Sequence, residues 1–261
     1  PARNVHAVAL AEEIVARVPS VEQLRFTNSG SEATMVAVEL ARVATGRRLV
    51  LMARYGYHGS APHFEVGTHG HEGPETLVAT YGDAAEFTAI LAERGEEIAA
   101  VILEPVMGSG GLLAASADFL MAVQQAARAA GALLVLDEVI TLRLSTGGAQ
   151  QALGVRPDLT AMGKIIGGGF PVGAVGGREE LLALCDPSRP RLFHSGTFNG
   201  NPVTTAAGLV SLQHLDQAQI DRMAVRAAGL EDVLAKAAAD AGLPLSVRRA
   251  GSMLQLFFSP A

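Results

Sequence analysis

The sequence lacks the features of disulfide-stabilised, membrane-spanning or nucleic-acid-binding proteins. Its 261 residues include one cysteine, Cys185, so no disulfide can form within the chain, which favours a reducing, cytoplasmic compartment. No apolar run approaches the roughly 18 to 20 residues needed to cross a bilayer. The formal net charge of −6, without a stripe of Lys and Arg, argues against nucleic acid as a partner.

The composition is rich in apolar residues and poor in charge. Hydrophobic residues make up 49% of the sequence and charged residues 18%, which is enough to bury a sizeable core. Short apolar runs alternate with stretches of helical periodicity, a pattern typical of an α/β fold with a largely parallel, buried sheet. We expect strands at residues 49–53, 76–80, 98–103, 133–136 and 172–175.

Helical spacing of apolar residues is found at 34–43 and 119–130, and an Ala- and Leu-rich helical pattern runs with breaks from 202 to about 241. Strand-like residues follow from 245. We therefore expect a large domain over residues 1–213 and, over residues 214–261, a linking helix and the truncated start of a small α+β domain. Because the chain begins at Pro1 and ends directly after a strand-like segment, we expect it to be a piece of a longer protein.

A turn of small residues, Ser29, Gly30 and Ser31, opens the helical run at 34–43. Such a turn presents free backbone N–H groups and the positive end of the helix dipole, which together suit a phosphate group. In the alternative interpretation, Ser31 only caps the helix by accepting a backbone hydrogen bond. The segment alone leaves both interpretations open.

Asp137 and Glu138 directly follow the apolar run at 133–136. Ligands of open α/β sheets bind at the carboxyl ends of the strands, so a carboxylate there can reach a cofactor. Adjacent strand residues point to opposite faces, and we therefore expect the two side chains to have different roles. The alternative is that both cap the next turn or bind a metal, although further ligands at suitable spacing are not apparent.

Lys164 lies in a glycine-rich, apolar segment at residues 163–173. Burial of an ammonium group is costly and lowers its pKa, and a lowered pKa is what a lysine that forms a Schiff base needs. The catalytic interpretation therefore needs a buried Lys164, whereas on this segment alone a surface lysine beside a flexible loop is the commoner case. The segment is not a Walker phosphate loop, because Ile165 follows the lysine and Asp158 stands at the first glycine position.

Two further segments carry groups that suit a flat, phosphorylated ligand. Tyr57 and His58 follow the strand at 49–53, and an aromatic ring there can stack on a heterocycle. Thr197 places a hydroxyl shortly before a helix, where it can bind phosphate. Each segment alone is equally typical of a turn.

In their order along the chain, these segments resemble those of the class III, fold-type I enzymes that use pyridoxal 5'-phosphate (PLP), from about Val5 to Phe258. The resemblance is greatest to the branch with glutamate-1-semialdehyde aminomutase and the β-amino-acid aminotransferases. It implies PLP as the cofactor, small amino and keto acids as substrates, and a mostly parallel, seven-stranded sheet flanked by helices.

The resemblance also implies roles for individual residues. Lys164 would hold the cofactor aldehyde and move a proton between the substrate Cα and the cofactor, and Asp137 would pair with the pyridine nitrogen. Thr197 resembles a threonine that reaches the cofactor phosphate of a neighbouring subunit, which implies a homodimer. The other expected cofactor-binding residues are Ser29, Gly30 and Ser31 at the phosphate, Tyr57 and Val139 on the two ring faces, and His58 and Glu104 nearby.

The sequence favours one reaction within this branch without excluding the others. Ser109 stands where the aminomutase pattern has asparagine, and the continuation at 137–144 is closer to the β-amino-acid aminotransferases. The predicted reaction is therefore amino-group transfer between an amino acid and a keto acid or aldehyde. Intramolecular amine transfer, as in the aminomutase, and a non-catalytic protein that keeps the fold are the alternatives. Arg143 is a candidate local contact for a substrate carboxylate.

Overall fold

The structure, a computed structural model, describes residues 4–258 of the chain. Strands and helices alternate through most of it. The strands are β1 (Gln23–Thr27), β2 (Leu49–Ala53), β3 (Thr76–Ala79), β4 (Ile98–Leu103), β5 (Val106–Met107), β6 (Leu113–Ala114), β7 (Leu133–Asp137), β8 (Leu159–Gly163), β9 (Gly173–Gly177), β10 (Ser246–Ala250) and β11 (Met253–Phe257). The helices are α1 (Val5–Arg17), α2 (Gly30–Thr45), α3 (Pro62–Thr68), α4 (Ala84–Arg94), α5 (Ala117–Ala130), α6 (Gly148–Leu153), α7 (Glu179–Leu182), α8 (Pro202–His214) and α9 (Gln217–Asp240).

Seven strands form one sheet in the order β1-β9-β8-β7-β4-β2-β3. The neighbours from β8 to β3 are parallel, whereas β9 runs antiparallel to both β8 and β1. The prediction of a mostly parallel, seven-stranded sheet is therefore confirmed. Since β9 returns directly from β8, the chain reverses at the edge of the sheet where the parallel strands end.

Helices cover both faces of the sheet, and neighbouring strand residues contribute to different cores. Leu51 and Leu103 pack with α4 and α5, while Val50 and Ile102 pack with α2 on the other face. This alternation follows from the two-residue period of a strand, and burial on both faces explains the nearly continuous apolar runs. The apolar runs were therefore a reliable signal for the central strands.

Two strands of the sheet were not predicted, β1 and β8. The edge strand β1 carries polar residues, and β8 contains Thr, Ala and Gly, so neither has the aliphatic run of a typical buried strand. The strand expected at 172–175 is displaced to Gly173–Gly177. The first residue of β9, Gly173, has no room for a side chain, because a Cβ there would overlap the carbonyl oxygen of Ser29.

The C-terminal part consists of α8 and α9 followed by the antiparallel hairpin of β10 and β11. This agrees with the interrupted helical pattern and the strand-like residues after 245. The domain division between residues 213 and 214, at the end of α8, stays a prediction. Cys185 is buried, and within residues 4–258 no helix is both long and apolar enough to cross a membrane.

Candidate active site

A cavity of about 470 Å³ opens where β4, β7 and β8 end. Its lining includes nine of the ten site residues predicted from sequence, although they come from five separate segments. Thr197 is the exception. The nine are Ser29, Gly30, Ser31, Tyr57, His58, Glu104, Asp137, Val139 and Lys164.

Asp137 is the last residue of β7, and its carboxylate is buried beside the cavity. Oδ2 lies 2.9 Å from Nδ1 of His58, and Oδ1 accepts a hydrogen bond from the N–H of Val139 at 3.1 Å. The second ring nitrogen of His58, Nε2, is shielded from solvent and has no hydrogen-bond partner in the described part of the chain. The carboxylate is thus held at the strand end in a fixed orientation.

Glu138, the next residue, points away from the cavity. Its carboxylate accepts hydrogen bonds from the N–H groups of Ala149 (3.0 Å) and Gln150 (2.7 Å) and from the hydroxyl of Thr141. Complete burial raises the pKa of Glu138 above its ordinary value, and these donors oppose the rise. The adjacent carboxylates therefore have different roles, because Asp137 faces the cavity whereas Glu138 caps α6. Residues 4–258 contain no cluster of His, Cys, Asp or Glu side chains that could hold a metal ion.

Glu104, directly after β4, joins two loops at the cavity. Oε2 accepts the N–H of Tyr57 and Oε1 accepts the N–H of Gly108, each at 3.0 Å. Burial raises the pKa of Glu104 above its usual range and Asp137 adds to the rise, while the nearby His58 opposes it. The resemblance placed Glu104 near the cofactor without a specific role, and in the structure its carboxylate positions the loop that carries Tyr57 and His58.

The small-residue turn begins α2, a helix of 16 residues. Ser29 is the N-cap, and its hydroxyl accepts the N–H of Glu32 at 3.2 Å, so the alternative interpretation in which Ser31 caps the helix is wrong. Ser29 has the extended backbone that an N-cap needs, whereas Ser31 already lies within the first turn. Within residues 4–258, the N–H groups of Gly30 and Ser31 have no acceptor, which leaves them available to an anion at the positive end of the helix dipole.

Gly30 also allows close approach of the opposite wall of the cavity. A Cβ at this position would lie 2.8 Å from Cγ2 of Val139. Gly59 has a similar function, because a Cβ there would lie 2.5 Å from the hydroxyl of Ser31, and its φ of +97° disfavours a side chain. The two glycines therefore give the turn its close contacts.

Lys164 begins a 3₁₀ turn directly after β8 and lines the cavity. The burial that the catalytic interpretation of the segment assumed is not observed: Lys164 is exposed, because it stands at the open end of the sheet where the chain reverses between β8 and β9. Its φ of +46° lies in the left-handed region, which costs a residue with a side chain about 1–2 kcal/mol. Strain of this kind is concentrated at functional positions.

Tyr57 and Thr197 differ in their relation to the cavity. Tyr57 forms part of the wall and is half exposed, whereas Thr197 is exposed and outside the lining. The segment around Thr197 is nevertheless anchored beside the site, since Nδ2 of Asn28 donates to Oδ1 of Asn199 at 2.7 Å. The predicted contact of Thr197 with a neighbouring subunit stays a prediction.

Sequence reasoning missed several residues of the wall, all of them neighbours of predicted ones. Ile140 follows Val139, and residues 169–172 lie within the glycine-rich segment that carries Lys164. Their signal was position alone, because apolar and glycine residues have no distinctive chemistry. The missed residues are Asn28, Gly59, Ile140, Gly169, Phe170, Pro171 and Val172.

These groups fit PLP. Two free N–H groups at a helix start suit its phosphate, a buried carboxylate suits its ring nitrogen, and an exposed amine suits its aldehyde. Nε2 of His58, a buried polar atom without a partner in the described chain, is a further sign of a site built for a polar ligand.

Comparison with known proteins agrees with this fit. The family model of the class-III aminotransferases matches residues 2–261. The glutamate-1-semialdehyde 2,1-aminomutase of Thermomicrobium roseum is 45% identical over 271 residues, covering 97% of this chain and 63% of that protein. The aminomutase of Deinococcus deserti is 44% identical, covering 94% of this chain and 61% of that protein.

Solved structures of transaminases are also similar. An omega-transaminase from Sphaerobacter thermophilus is 40% identical with a TM-score of 0.93, over 99% of this chain and 64% of that one. A beta-phenylalanine aminotransferase from Variovorax paradoxus is 39% identical with a TM-score of 0.89, over 99% and 61%. The chain thus spans less than two thirds of the length of these relatives. By its match to the family model and to these relatives, it belongs to the class III aminotransferase family, whose cofactor is pyridoxal 5'-phosphate.

Proposed function

We propose that the full-length protein carrying this chain moves an amino group between an amino acid, β-amino acids included, and a keto acid or aldehyde. One observation carries the proposal: the buried carboxylate of Asp137 shares a cavity with Lys164 and with the free N–H groups at the start of α2. A ring nitrogen, an aldehyde and a phosphate each find a matching group there.

The chain's own residues have distinct tasks in this proposal. When bound, PLP supplies an electron sink for the electrons left by the substrate Cα–H bond. Asp137, oriented through Nδ1 of His58, would pair with the ring nitrogen. The N–H groups of Gly30 and Ser31 would hold the phosphate, and Nζ of Lys164 would take up and return the Cα proton.

Two reactions remain candidates because they need the same residues. The transaminase structures at 40% and 39% identity support transfer between two substrates, as does Ser109 in place of the asparagine of the aminomutase pattern. The names of the curated relatives at 45% and 44% identity favour an intramolecular transfer, in which one amino aldehyde exchanges its own amine. We favour transfer between two substrates.

A stoichiometry experiment on the PLP-loaded, full-length protein separates the candidates. With an amino acid alone, a transaminase consumes about one equivalent per active site, because the amine stays on the cofactor until an acceptor takes it. Addition of a keto acid then restores turnover. Many turnovers of glutamate-1-semialdehyde without keto acid would overturn the transaminase proposal in favour of the aminomutase, and no reaction under either condition would support a non-catalytic protein.

We also propose that the working unit is a homodimer in which Thr197 approaches the partner's site. Thr197 is exposed between two largely exposed aromatic side chains, Phe193 and Phe198, at 84% and 69% exposure. Exposed aromatic residues of this kind are typical of an interface. Light scattering of the full-length protein tests the assembly, and a monomer at micromolar concentration would contradict it.

A further inference from the structure

Arg143 lines a second cavity, of about 470 Å³, that adjoins the first. It lies in the 3₁₀ turn Leu142–Leu144, shortly after Asp137. The two cavities share part of their walls, so a ligand that lies beside Lys164 can extend from the first cavity into the second. The shared residues are Val139, Ile140, Lys164, Gly169 and Phe170.

The guanidinium of Arg143 has almost no partners within residues 4–258. Nε is shielded from water and has no hydrogen-bond acceptor. Nη2 contacts Sδ of Met223 at 3.6 Å, and a thioether is a weak acceptor. No carboxylate of the described residues lies within 4.0 Å of it, in contrast to Arg42, which pairs with two. A partly buried cation without an acceptor is costly, so the geometry calls for an anion.

The rest of the second cavity defines the kind of anion. Apart from Arg143 and Lys164, its lining consists of glycine and apolar residues, among them Ile165, Phe170 and Met253. A small ligand with one carboxylate and an apolar part satisfies this wall, and a planar guanidinium binds a carboxylate through two parallel hydrogen bonds. A phosphate or a second charge would find no further partner among these lining residues.

We infer that Arg143 binds the carboxylate of the amino acid and keto acid substrates and so determines specificity for acids over simple amines. This inference rests on the proposed transamination. Arg143 thus holds one end of the substrate while the amine at the other end meets Lys164. It is a binding residue for the carboxylate and takes no part in the proton transfer at Nζ.

The test uses the PLP-loaded, full-length protein and a pair of donors that differ in the carboxylate, 3-aminobutanoate and butan-2-amine. Arg143→Met should lower the ratio of kcat/KM for the acid to kcat/KM for the amine by roughly ten- to a hundredfold, the range for a charged hydrogen bond. Arg143→Lys should recover part of the ratio. Arg48→Met removes an arginine that is 70% exposed and distant from both cavities, and should leave the ratio as in the wild type.

Calorimetry gives a second readout that does not depend on turnover. Butanoate, an unreactive carboxylate, should bind to the wild-type holoenzyme and lose about tenfold or more in affinity in Arg143→Met. Unchanged butanoate affinity and an unchanged ratio, with a lower Tm, would overturn the inference and show that Arg143 stabilises the fold without binding the substrate. If the wild type turned over neither donor, the proposed function would fail, while butanoate binding would still decide the role of Arg143.

Discussion

Asp137 and His58 form a buried pair beside the cavity, with Oδ2 of the carboxylate 2.9 Å from Nδ1 of the imidazole. The hydroxyl of Thr34 donates to the backbone carbonyl of His58 at 2.6 Å and so holds its backbone, and Phe64 packs edge-on against the imidazole at 5.6 Å between centroids. The carboxylate is therefore oriented before any ligand arrives. Preorganisation of this kind lowers the cost of binding.

Replacement of His58 should weaken both the fold and cofactor binding. His58→Ala leaves the buried carboxylate of Asp137 without its side-chain partner, and an unsatisfied buried group of this kind costs about 1–3 kcal/mol. We expect the free energy of unfolding in urea to fall by that amount and the affinity for PLP to fall about tenfold. His6→Ala, at an exposed position, should change neither quantity. Unaltered PLP affinity in a folded His58→Ala protein would contradict the role of the pair.

Lys164 can be tested against a single matched control, because the sequence contains just one other lysine, Lys236 on α9. Lys164→Ala should abolish the visible absorption band of lysine-bound PLP and lower transamination by about a hundred- to ten-thousandfold, since the proton acceptor is lost. Lys236→Ala removes an exposed ion pair with Asp240 and should keep band and activity. An absorption band that persists in Lys164→Ala would contradict the assignment of Lys164 as the lysine that binds PLP.

The contact between Gly30 and Val139 predicts a pair of compensating substitutions. Gly30→Ala places a Cβ 2.8 Å from Cγ2 of Val139, and such overpacking costs about 1–3 kcal/mol. Unfolding free energy and PLP affinity should both fall, and Val139→Ala in the same chain should restore part of the loss. Gly229→Ala, in α9 with nothing within 4 Å of the added Cβ, should instead stabilise the protein by about 0.5–1 kcal/mol. Independent, additive effects of Gly30→Ala and Val139→Ala would disprove the coupling.

Glu104 should make stability depend on pH in a defined direction. Burial raises its folded-state pKa, so the folded protein keeps the proton where the unfolded chain has released it, and the unfolding free energy falls as pH rises through that window. The difference in unfolding free energy, wild type minus Glu104→Gln, should therefore decrease with rising pH above the ordinary glutamate value of about 4.3. The pKa of Glu97 is lowered by a hydrogen bond from Arg94. The difference in unfolding free energy, wild type minus Glu97→Gln, should therefore increase with rising pH below the ordinary glutamate value of about 4.3. Urea titrations of the PLP-free protein measure both slopes, and equal slopes would contradict the prediction.

The sequence predicted the strands with continuous aliphatic runs better than β1 and β8. β2 and β4 were predicted with their observed bounds, because burial on both faces makes each of them a continuous apolar run. β1 and β8 depend on their neighbours in the sheet, which a local pattern does not contain. At the start of β9, a side chain at Gly173 would overlap the carbonyl oxygen of the distant Ser29, a constraint that the local sequence does not contain.

The site was predictable as a set of residues but not as an arrangement. The motifs named Asp137 and Lys164. The burial of a side chain depends on where the chain reverses, and the burial that the catalytic interpretation assumed for Lys164 is not observed. The cap on α2 is set by the extended backbone of Ser29, which the residue types of the turn do not reveal. His58, the partner of Asp137, lies in a different loop, and the spacing of the two residues along the chain does not predict that contact.

The strand order makes the cofactor site a late product of folding. The lining of the cavity extends along the chain from Asn28 to Val172, and β1 enters the sheet only by pairing with β9. Such non-local pairings form slowly, and the cavity proposed for PLP is complete only when the strands that carry its lining have paired. Since PLP then binds the folded state alone, its concentration shifts the folding equilibrium by mass action. A shortage of PLP in the cell would therefore lower the total amount of folded protein, in addition to raising the fraction of folded protein that lacks PLP.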